Sequence, residues 1–334
     1  MTKKHCEHCG SQMQRWGHTK AGTLRFFCTA CKKSGVRKRK DVEEHHLIKE
    51  LQGWLGGKAS LRELAKESRV TRQTLSREFH PLFNTVTEPH IPPGTKPRIL
   101  IVDATYIHSH SPCALVAIDE NDHIYWRFAP YESYKYWLEF LASFREPEII
   151  IMDGQKGLFA AAKTLWSDVP IQRCQFHVIA FALQYLGRKP KEEVGKELID
   201  ILYRLKDAKT LAERDCWIFL YKMWEKKWEI ILSSKNAYGN FQYPRLRSTR
   251  LIIRRALPNL FTFLDHVDAP NTTNLVEGWV NSAIAEALRM HRGLRVYEKK
   301  ALVSILLSKL KRQKSMQMEK TLPAEILKIP LQLS

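Results

Sequence analysis

The sequence predicts an α/β protein whose core is interrupted by an all-helical insertion and preceded by two small modules. Three observations lead to this prediction. Two apolar runs, at residues 98–103 and 148–153, each end on an aspartate and have the composition of buried strands. From residue 177 to about residue 265 the apolar pattern is helical, without strand alternation. Two CxxC motifs lie within the first 31 residues.

The net charge limits the class of partner. The chain has 334 residues, enough for a core domain with one or two modules, and a formal charge of +19. Residues 1–40 hold eleven Lys/Arg and one acid, residues 245–255 hold five Arg and no acid, and residues 289–314 hold nine basic residues and one acid. A solvated surface is the alternative, but three separate patches favour a polyanion, most commonly nucleic acid. No signal peptide and no run of about 20 apolar residues is visible, so we expect a soluble intracellular protein without a membrane partner.

The first module is built around four cysteines. Disulfides are rare in intracellular chains, and the 18 residues between the two CxxC pairs fit a four-cysteine zinc ribbon. The predicted Zn²⁺ ligands are Cys6, Cys9, Cys28 and Cys31. Chance spacing is the alternative, and three histidines are possible substitute ligands: His5, His8 and His18. Because so polar a segment can hardly bury a core, the metal would supply the folding energy of the ribbon at residues 1–40, which ends in a basic link.

Residues 41–90 are predicted to form a helix-turn-helix module. Ser60 and Glu63 have the spacing of a capping box, and Thr71 would cap a second helix. The predicted inner faces consist of Leu61, Leu64, Ala65, Leu75 and Phe79. Four side chains would face outward to meet a DNA major groove: Arg72, Gln73, Ser76 and Arg77. An ordinary helical hairpin is the alternative, and the neighbouring basic ribbon favours DNA binding.

After a linker rich in proline at residues 90–97, the core elements follow in a recognisable order. The predicted strands are residues 98–107, 113–118, 123–129, 148–152 and 171–176. The predicted helices are residues 131–144 and 155–166. An antiparallel meander of three strands, a helix and then parallel strands form the pattern of a ribonuclease-H-like fold. We therefore divide the core into a first part, an insertion and a final part, at residues 98–176, 177–265 and 266–334.

Two aspartates are the first candidate catalytic residues. Asp103 and Asp153 end strands whose preceding side chains are apolar, which is typical of central strands. An unpaired carboxylate there would cost several kcal/mol, and a divalent cation would offset this. Mg²⁺ prefers oxygen ligands and also accepts phosphate oxygens. The pair therefore predicts a metal site for phosphoryl transfer.

A glutamate in a later helix completes the candidate set. A core stripe is predicted for the apolar positions Val276, Val280, Ala283, Ala287 and Met290. Asn274, Glu277 and Asn281 lie on a neighbouring face of this helix. The helix would therefore pack on the sheet and present Glu277 to its edge.

These residues carry a resemblance to a known family. The spacing of Asp103, Asp153 and Glu277, the helical insertion and the tract at residues 271–294 resemble the DDE transposases of prokaryotic insertion sequences, in particular the mutator-like group. A second marker of that group is a Cys/Asp-x-x-His element after the second aspartate, which Cys174 and His177 match. The resemblance covers about residues 98–310. It departs from the family pattern after Gly278, where Trp and Val replace the usual small residues.

The resemblance implies a DNA transposase that cleaves strands at the ends of an insertion sequence and transfers them into target DNA. Asp103, Asp153 and Glu277 would hold two Mg²⁺ (or Mn²⁺) ions about 3.5–4 Å apart. The auxiliary residues implied around these acids are Cys174, His177 and Asn281. The implied phosphate contacts in the final helices are His291 and Arg292. The partners would be terminal inverted repeats and target DNA, bound by a homodimer or higher oligomer in the prokaryotic cytoplasm, at the nucleoid.

Two other functions stay open. A nuclease or resolvase on the same fold would need the three acids but hardly the two amino-terminal modules. A domesticated, non-catalytic DNA-binding protein would not need the acids, yet all three are present.

Overall fold

The computed structural model describes residues 4–20, 22–36, 40–57, 60–85, 91–108 and 112–310. The chain divides into two compact units, Met1–Thr85 and Val86–Ser334. Most of the predicted basic link, the first residue of the predicted linker and the basic tail beyond residue 310 lie outside the described residues. In the part of the chain that is described, no helix combines the length and the apolar character needed to cross a membrane.

The first unit begins with a small antiparallel sheet and continues with helices. The sheet consists of β1 (Gln14–His18), β2 (Leu24–Phe27) and β3 (Ser34–Val36), in the order β1-β2-β3. The helices are α1 (Lys40–Gly56), α2 (Leu61–Glu67) and α3 (Arg72–Phe79), and a 3₁₀ helix follows at His80–Thr85.

Local capping and a shared core set the ends and the packing of these helices. The capping box of Ser60 and Glu63 and the cap of Thr71 on α3 are both present, as predicted. Arg69 in the turn between α2 and α3 has a left-handed backbone, with φ of 55°. Phe79 at the end of α3 is buried and stacks on Trp54 of α1 with ring centroids 5.7 Å apart, so α1 belongs to the same core.

The second unit is a mixed α/β structure built on a five-stranded sheet. Its strands are β4 (Ile99–Tyr106), β5 (Cys113–Asp119), β6 (Ile124–Ala129), β7 (Ile149–Met152) and β8 (Ile171–Arg173). The spatial order is β6-β5-β4-β7-β8. The pairs among β4, β5 and β6 are antiparallel, and β4, β7 and β8 run parallel. The predicted meander followed by parallel strands is confirmed.

Helices cover both faces of this sheet. The one face packs against α4 (Tyr134–Leu141) and α5 (Lys156–Leu165). The other face packs against a π-helical segment (Leu275–Asn281), α11 (Ser282–Met290) and α12 (Val296–Lys309). Alternate residues of β4 serve the two cores, since Leu100 and Val102 face one layer while Ile99 and Ile101 face the other.

The segment between β8 and the π-helical turn has its own hydrophobic core. Its helices are α6 (Gln175–Leu186), α7 (Glu193–Arg204), α8 (Leu211–Lys227), α9 (Glu229–Ser233) and α10 (Pro244–Ala256). Trp217 and Trp224 of α8 are buried in this core, and their indole N–H groups donate to backbone carbonyls of α7 at 2.7 and 2.9 Å. These bonds satisfy the polar atoms that the buried rings bring with them.

Three predicted boundaries need correction. The strand predicted for residues 171–176 ends at Arg173, and Gln175 already begins α6. The helix predicted for residues 131–144 is limited to Tyr134–Leu141. The insertion is not helical throughout, because Lys235 and Phe241 form an antiparallel bridge between α9 and α10. The residues at which each element begins and ends depend on backbone hydrogen bonding, which the periodicity of the side chains does not reveal.

Candidate active site

Asp103 and Asp153 lie at the same edge of the sheet because their strands are parallel neighbours. Ile101 of β4 pairs with Ile151 of β7, so each aspartate stands two residues beyond this pair. Asp103 is buried, with 8% of its surface exposed, and its Oδ2 accepts a hydrogen bond from Asn281 Nδ2 at 3.0 Å. Burial, the Glu277 carboxylate and the Asp153 carboxylate raise the pKa of Asp103 well above its ordinary value. Three acids therefore influence one another electrostatically.

Two charged residues that the sequence analysis missed lie near Asp153. Arg173, at the end of β8, donates from Nη1 to the carbonyl of Gly154 at 3.2 Å; burial lowers its pKa and the charge of Asp153 opposes that shift. Burial and then the charge of Asp153 raise the pKa of Glu132, whose Oε1 accepts from the Trp137 indole at 3.1 Å. The available signal was positional, because both residues stand at or just after strand ends on the edge that carries the aspartates.

Glu277 is held by three side chains from two segments. Its Oε1 accepts a short hydrogen bond from Thr273 Oγ1, lies 3.3 Å from His177 Nδ1 and accepts from the Cys174 thiol at 3.9 Å. Thr273 is buried, so its hydroxyl reaches Glu277 from inside the protein. The carboxylate thus has a fixed direction before any ligand binds.

Cys174 is a neutral member of this cluster. It occupies the N-cap position of α6 and is fully buried, and its Sγ accepts a hydrogen bond from the backbone N–H of Thr273 at 3.3 Å. The Thr273 hydroxyl oxygen, which donates to Glu277, also lies 3.3 Å from this Sγ. Burial and then the charge of Glu277 raise its pKa to about 12, so the thiol keeps its proton at neutral pH. A protonated thiol can donate to Glu277, whereas a zinc ligand would be a thiolate.

His177 joins the two halves of the site. Its ring belongs to one group with Asp103 and Asp153 and to another with Cys174 and Glu277. Within each group the possible ligand atoms lie within 4.8 Å of one another. The three predicted catalytic acids and the predicted Cys-x-x-His pair therefore come together, around the first turn of α6.

Glu277 lies on π-helical backbone, and this corrects the predicted core stripe. Beyond the π-helical segment, Ile284 is buried where Ala283 was predicted, and Met290 is exposed instead of buried. A π-helical turn takes in one residue more than an α-helical turn, so the spacing of buried positions after it departs from the predicted stripe at Ala283 and Met290. Val276, Val280 and Ala287 are buried as predicted, and Asn281 reaches Asp103 from the end of this segment.

The predicted DNA contacts differ in exposure. The four outward side chains predicted on α3 are exposed: Arg72, Gln73, Ser76 and Arg77. Arg292 is also exposed, but His291 is buried with 7% of its surface accessible. The turn at the end of α11 folds His291 against the core, and its contact with a DNA phosphate stays a prediction.

The arginine-rich patch at residues 245–255 lies on α10 and has a mixed role. Arg250 forms an ion pair with Glu225 at 2.5 Å, and the guanidinium of Arg247 lies 3.4 Å from the ring centroid of Phe241. These two arginines stabilise the insertion. Arg254 is exposed and lies 3.8 Å from the same Glu225 carboxylate, and the exposed side chains of Arg245 and Arg255 supply the positive surface of this helix.

The four cysteines of the first unit form a second candidate site. Their Sγ atoms all lie within 4.8 Å of one another, and the Cys6–Cys31 and Cys9–Cys28 pairs are 3.4 Å apart. Thiolates at about 2.3 Å from a common tetrahedral ion would be about 3.8 Å apart, so the cluster is close to that geometry. Hydrogen bonds from Ser11 lower the pKa of Cys9 to about 6, whereas the contact with Cys6 and burial raise the pKa of Cys31 to about 12, so the close thiols do not all ionise without a cation. Within the described ribbon the cluster includes none of the three histidines.

Comparison with known families now adds to this geometry. Residues 115–277 match the model of a family described as "Transposase, Mutator family". This match supports a mutator-like transposase. The matched region of this transposase runs from β5 to Glu277 and contains Asp153, Cys174 and His177, while Asp103 lies 12 residues before it. Membership of the family implies transposition and a DNA partner in general terms. No curated protein matches the chain.

Proposed function

We propose that this transposase cleaves DNA at the ends of an insertion sequence and joins them to target DNA, with Asp103, Asp153 and Glu277 as ligands of two Mg²⁺ (or Mn²⁺) ions. The observation that carries the proposal is the convergence of these acids on His177, at one sheet edge in a transposase. The strand order β6-β5-β4-β7-β8 and the helical insertion support a ribonuclease-H-like core for this chemistry.

The donor set fits a hard divalent cation. Asp103 is buried beside two other carboxylates and receives hydrogen bonds from the amide of Asn281 and the backbone of Ala104. Among the described residues, no lysine or arginine forms an ion pair with Asp103, Asp153 or Glu277. Several carboxylate oxygens with a deficit of positive charge suit Mg²⁺. When bound, such ions would neutralise charge on the reacting phosphate and activate its nucleophile.

The protein side chains around the acids would act by positioning. Asn281 directs one oxygen of Asp103, while Thr273 and Cys174 orient Glu277. His177 lies close both to the two aspartates and to Glu277 and would hold these carboxylates in a fixed relative position. Arg173 lies beside Asp153 and would limit the negative charge of the site before DNA arrives.

The first unit would recognise DNA. The exposed side chains of α3 would enter a major groove as the second helix of a helix-turn-helix, and the cysteine cluster would hold a structural Zn²⁺. We infer that the terminal inverted repeats are bound here. Two ends must be brought together, so the active species would be a homodimer or higher oligomer on DNA of the prokaryotic nucleoid.

The proposal is tested with linear DNA that carries both flanks of the coding region. Wild-type protein should cleave these flanks with Mg²⁺ and should join a pre-cleaved 3′-hydroxyl end to a second DNA. Asp103→Asn, Asp153→Asn and Glu277→Gln should each lower the rate at least about 100-fold, because a lost ligand removes several kcal/mol of transition-state stabilisation. Asp168→Asn changes an exposed acid of the same unit and is the matched control.

The same experiment separates the alternatives. Cleavage without any joined product would favour a nuclease or resolvase. DNA binding without metal-dependent chemistry in the wild type, unchanged in the acid variants, would favour a non-catalytic DNA-binding protein.

A further inference from the structure

A cleft beside Glu277 has no part in the proposed metal site. It encloses about 240 Å³ and is lined by three elements: the first turns of α6, the turn after α7 and the segment before the π-helix. Its lining residues are Gln175, Phe176, Ile179, Lys206, Lys209, Asn271, Thr272 and Asn274. Two of its walls are therefore the chain segments that also carry Cys174, His177 and Thr273, so an occupant would lie next to the reacting phosphate.

One wall of the cleft is rigid and polar. Asn271 Nδ2 donates to Gln175 Oε1 at 2.8 Å, and Gln175 Nε2 donates to the Leu260 carbonyl at 3.0 Å. The backbone N–H of Gln175 donates to the Asn271 carbonyl at 3.0 Å. Gln175 is 1% exposed, so this network ties α6 to the segment that leads into Glu277. The half-exposed ring of Phe176 is the aromatic surface of the cleft.

The opposite wall is positively charged. Lys206 and Lys209 are both exposed, and among the described residues neither ammonium group lies within ion-pair distance of an acid. Glu213 is the nearby acid: it accepts a hydrogen bond from the backbone N–H of Lys209 at 2.9 Å. Leu205 and Ala208 are buried in the core of the insertion and fix the turn from which the two lysines project. Two ammonium groups across from an aromatic ring match the phosphate and the base of one nucleotide.

We propose that this cleft binds a single unpaired nucleotide of the DNA strand next to the scissile phosphate, with its base on Phe176 and its phosphate at Lys206 and Lys209. The inference rests on the proposed function, because it needs a DNA strand at Glu277. The cleft of about 240 Å³ has room for one base but not for a base pair, so the flanking nucleotide would have to leave the base stack to enter it. This substrate distortion would expose the scissile phosphate to the acids.

Binding without metal tests this proposal separately from catalysis. The probes are a fluorescein-labelled oligothymidylate and a duplex of the same length, measured by anisotropy in EDTA at several salt concentrations. Phe176→Leu should weaken binding of the single strand at least about fivefold, because base stacking on an aromatic side chain is lost, and should change duplex binding less than twofold. Phe176→Tyr keeps the ring and should retain wild-type affinity for the single strand.

The lysines are tested through the salt dependence. Replacing Lys206 and Lys209 by Ala should reduce the slope of log K against log salt for the single strand by about 0.7, because the two lysines together neutralise the one phosphate of the bound nucleotide. Matched controls are Lys222→Ala with Lys226→Ala, and Phe219→Leu, which change exposed side chains of α8 outside the cleft.

Equal effects of the cleft and control variants, or equal loss for single strand and duplex in Phe176→Leu, would overturn the proposal. The proposal would also be overturned if the variant lacking Lys206 and Lys209 bound the single strand with wild-type affinity. Since EDTA prevents metal-dependent cleavage, such a result leaves the proposed function standing. Conversely, loss of cleavage in the acid variants does not bear on the cleft.

Discussion

Replacing Asp103 by Asn should make the metal-free transposase more stable. The wild-type carboxylate is 8% exposed and stands near the charges of Asp153 and Glu277, while its direct donors are amide N–H groups. Asparagine keeps an oxygen that can accept from Asn281 and removes one buried negative charge. We expect a gain of about 1 kcal/mol in the free energy of unfolding in EDTA, the usual size for a favourable single substitution. For a unit of this size, that gain raises Tm by about 2–4 °C.

The gain should depend on pH in a defined direction. The pKa of Asp103 in the folded protein is raised above its ordinary value of 3.8. The folded state therefore bears the penalty of the charged form fully above the raised pKa and loses it below 3.8. The stability difference between Asp103→Asn and wild type should consequently grow as pH rises from 3.8 to the folded pKa, stay constant above the folded pKa, and vanish below 3.8.

Magnesium should reverse the order of the two proteins. A ligand at ten times its dissociation constant stabilises the folded state by about 1.4 kcal/mol, and the variant should gain far less because it lacks one carboxylate ligand. Thermal unfolding followed by circular dichroism, with EDTA or Mg²⁺ at several pH values, measures all three effects. A variant that is less stable than wild type in EDTA, or that gains as much from Mg²⁺, would refute the reasoning about charge at this site.

Two further predictions concern Arg173 and the cysteine cluster. In Gly154→Ala, at φ of +83°, the new Cβ would stand 1.6 Å from the Arg173 guanidinium carbon, so we expect a loss of about 1–2 kcal/mol in the free energy of unfolding in urea. The control Gly187→Ala, at φ of +75° with open space around the new Cβ, should show only the smaller backbone penalty. Equal losses in the two variants would exclude a role for Arg173. Elemental analysis should find one Zn²⁺ per chain in the wild type and in Cys216→Ser, but none in Cys28→Ser, and zinc retained by Cys28→Ser would place the ion elsewhere.

Local sequence patterns were sufficient for most elements of the fold. The antiparallel order of β4, β5 and β6 followed from short apolar runs and turn residues. The caps at Ser60 and Thr71 followed from residue type and spacing. Asp103 and Asp153 were predicted to form one metal site because both end buried apolar strands, and the pairing of Ile101 with Ile151 brings these strand ends together. These features depend on neighbours within one or two turns, or on a rule of sheet geometry.

Other parts of the candidate site could not be predicted from the same patterns. The π-helical backbone at Glu277 breaks the 3.6-residue period on which the predicted stripe relied, so burial moved from Ala283 to Ile284. The family resemblance implied a phosphate contact for His291, and only the packing of its turn shows that this side chain is buried. Residues 132 and 173 carry no motif and become neighbours of Asp153 only when the strands assemble.

The sequence by itself determined the inventory of this transposase: two acids at strand ends and one in a helix, a Cys-x-x-His pair, four cysteines in two CxxC motifs and the order of strands and helices. Tertiary structure alone decided that His177 stands between the aspartates and Glu277, that Cys174 stays a neutral thiol, and that a cleft opens beside them. The reason is physical. Periodicity records which side of an element is apolar, whereas contacts between residues about 100 positions apart, such as Thr273 with Cys174, depend on how whole layers pack.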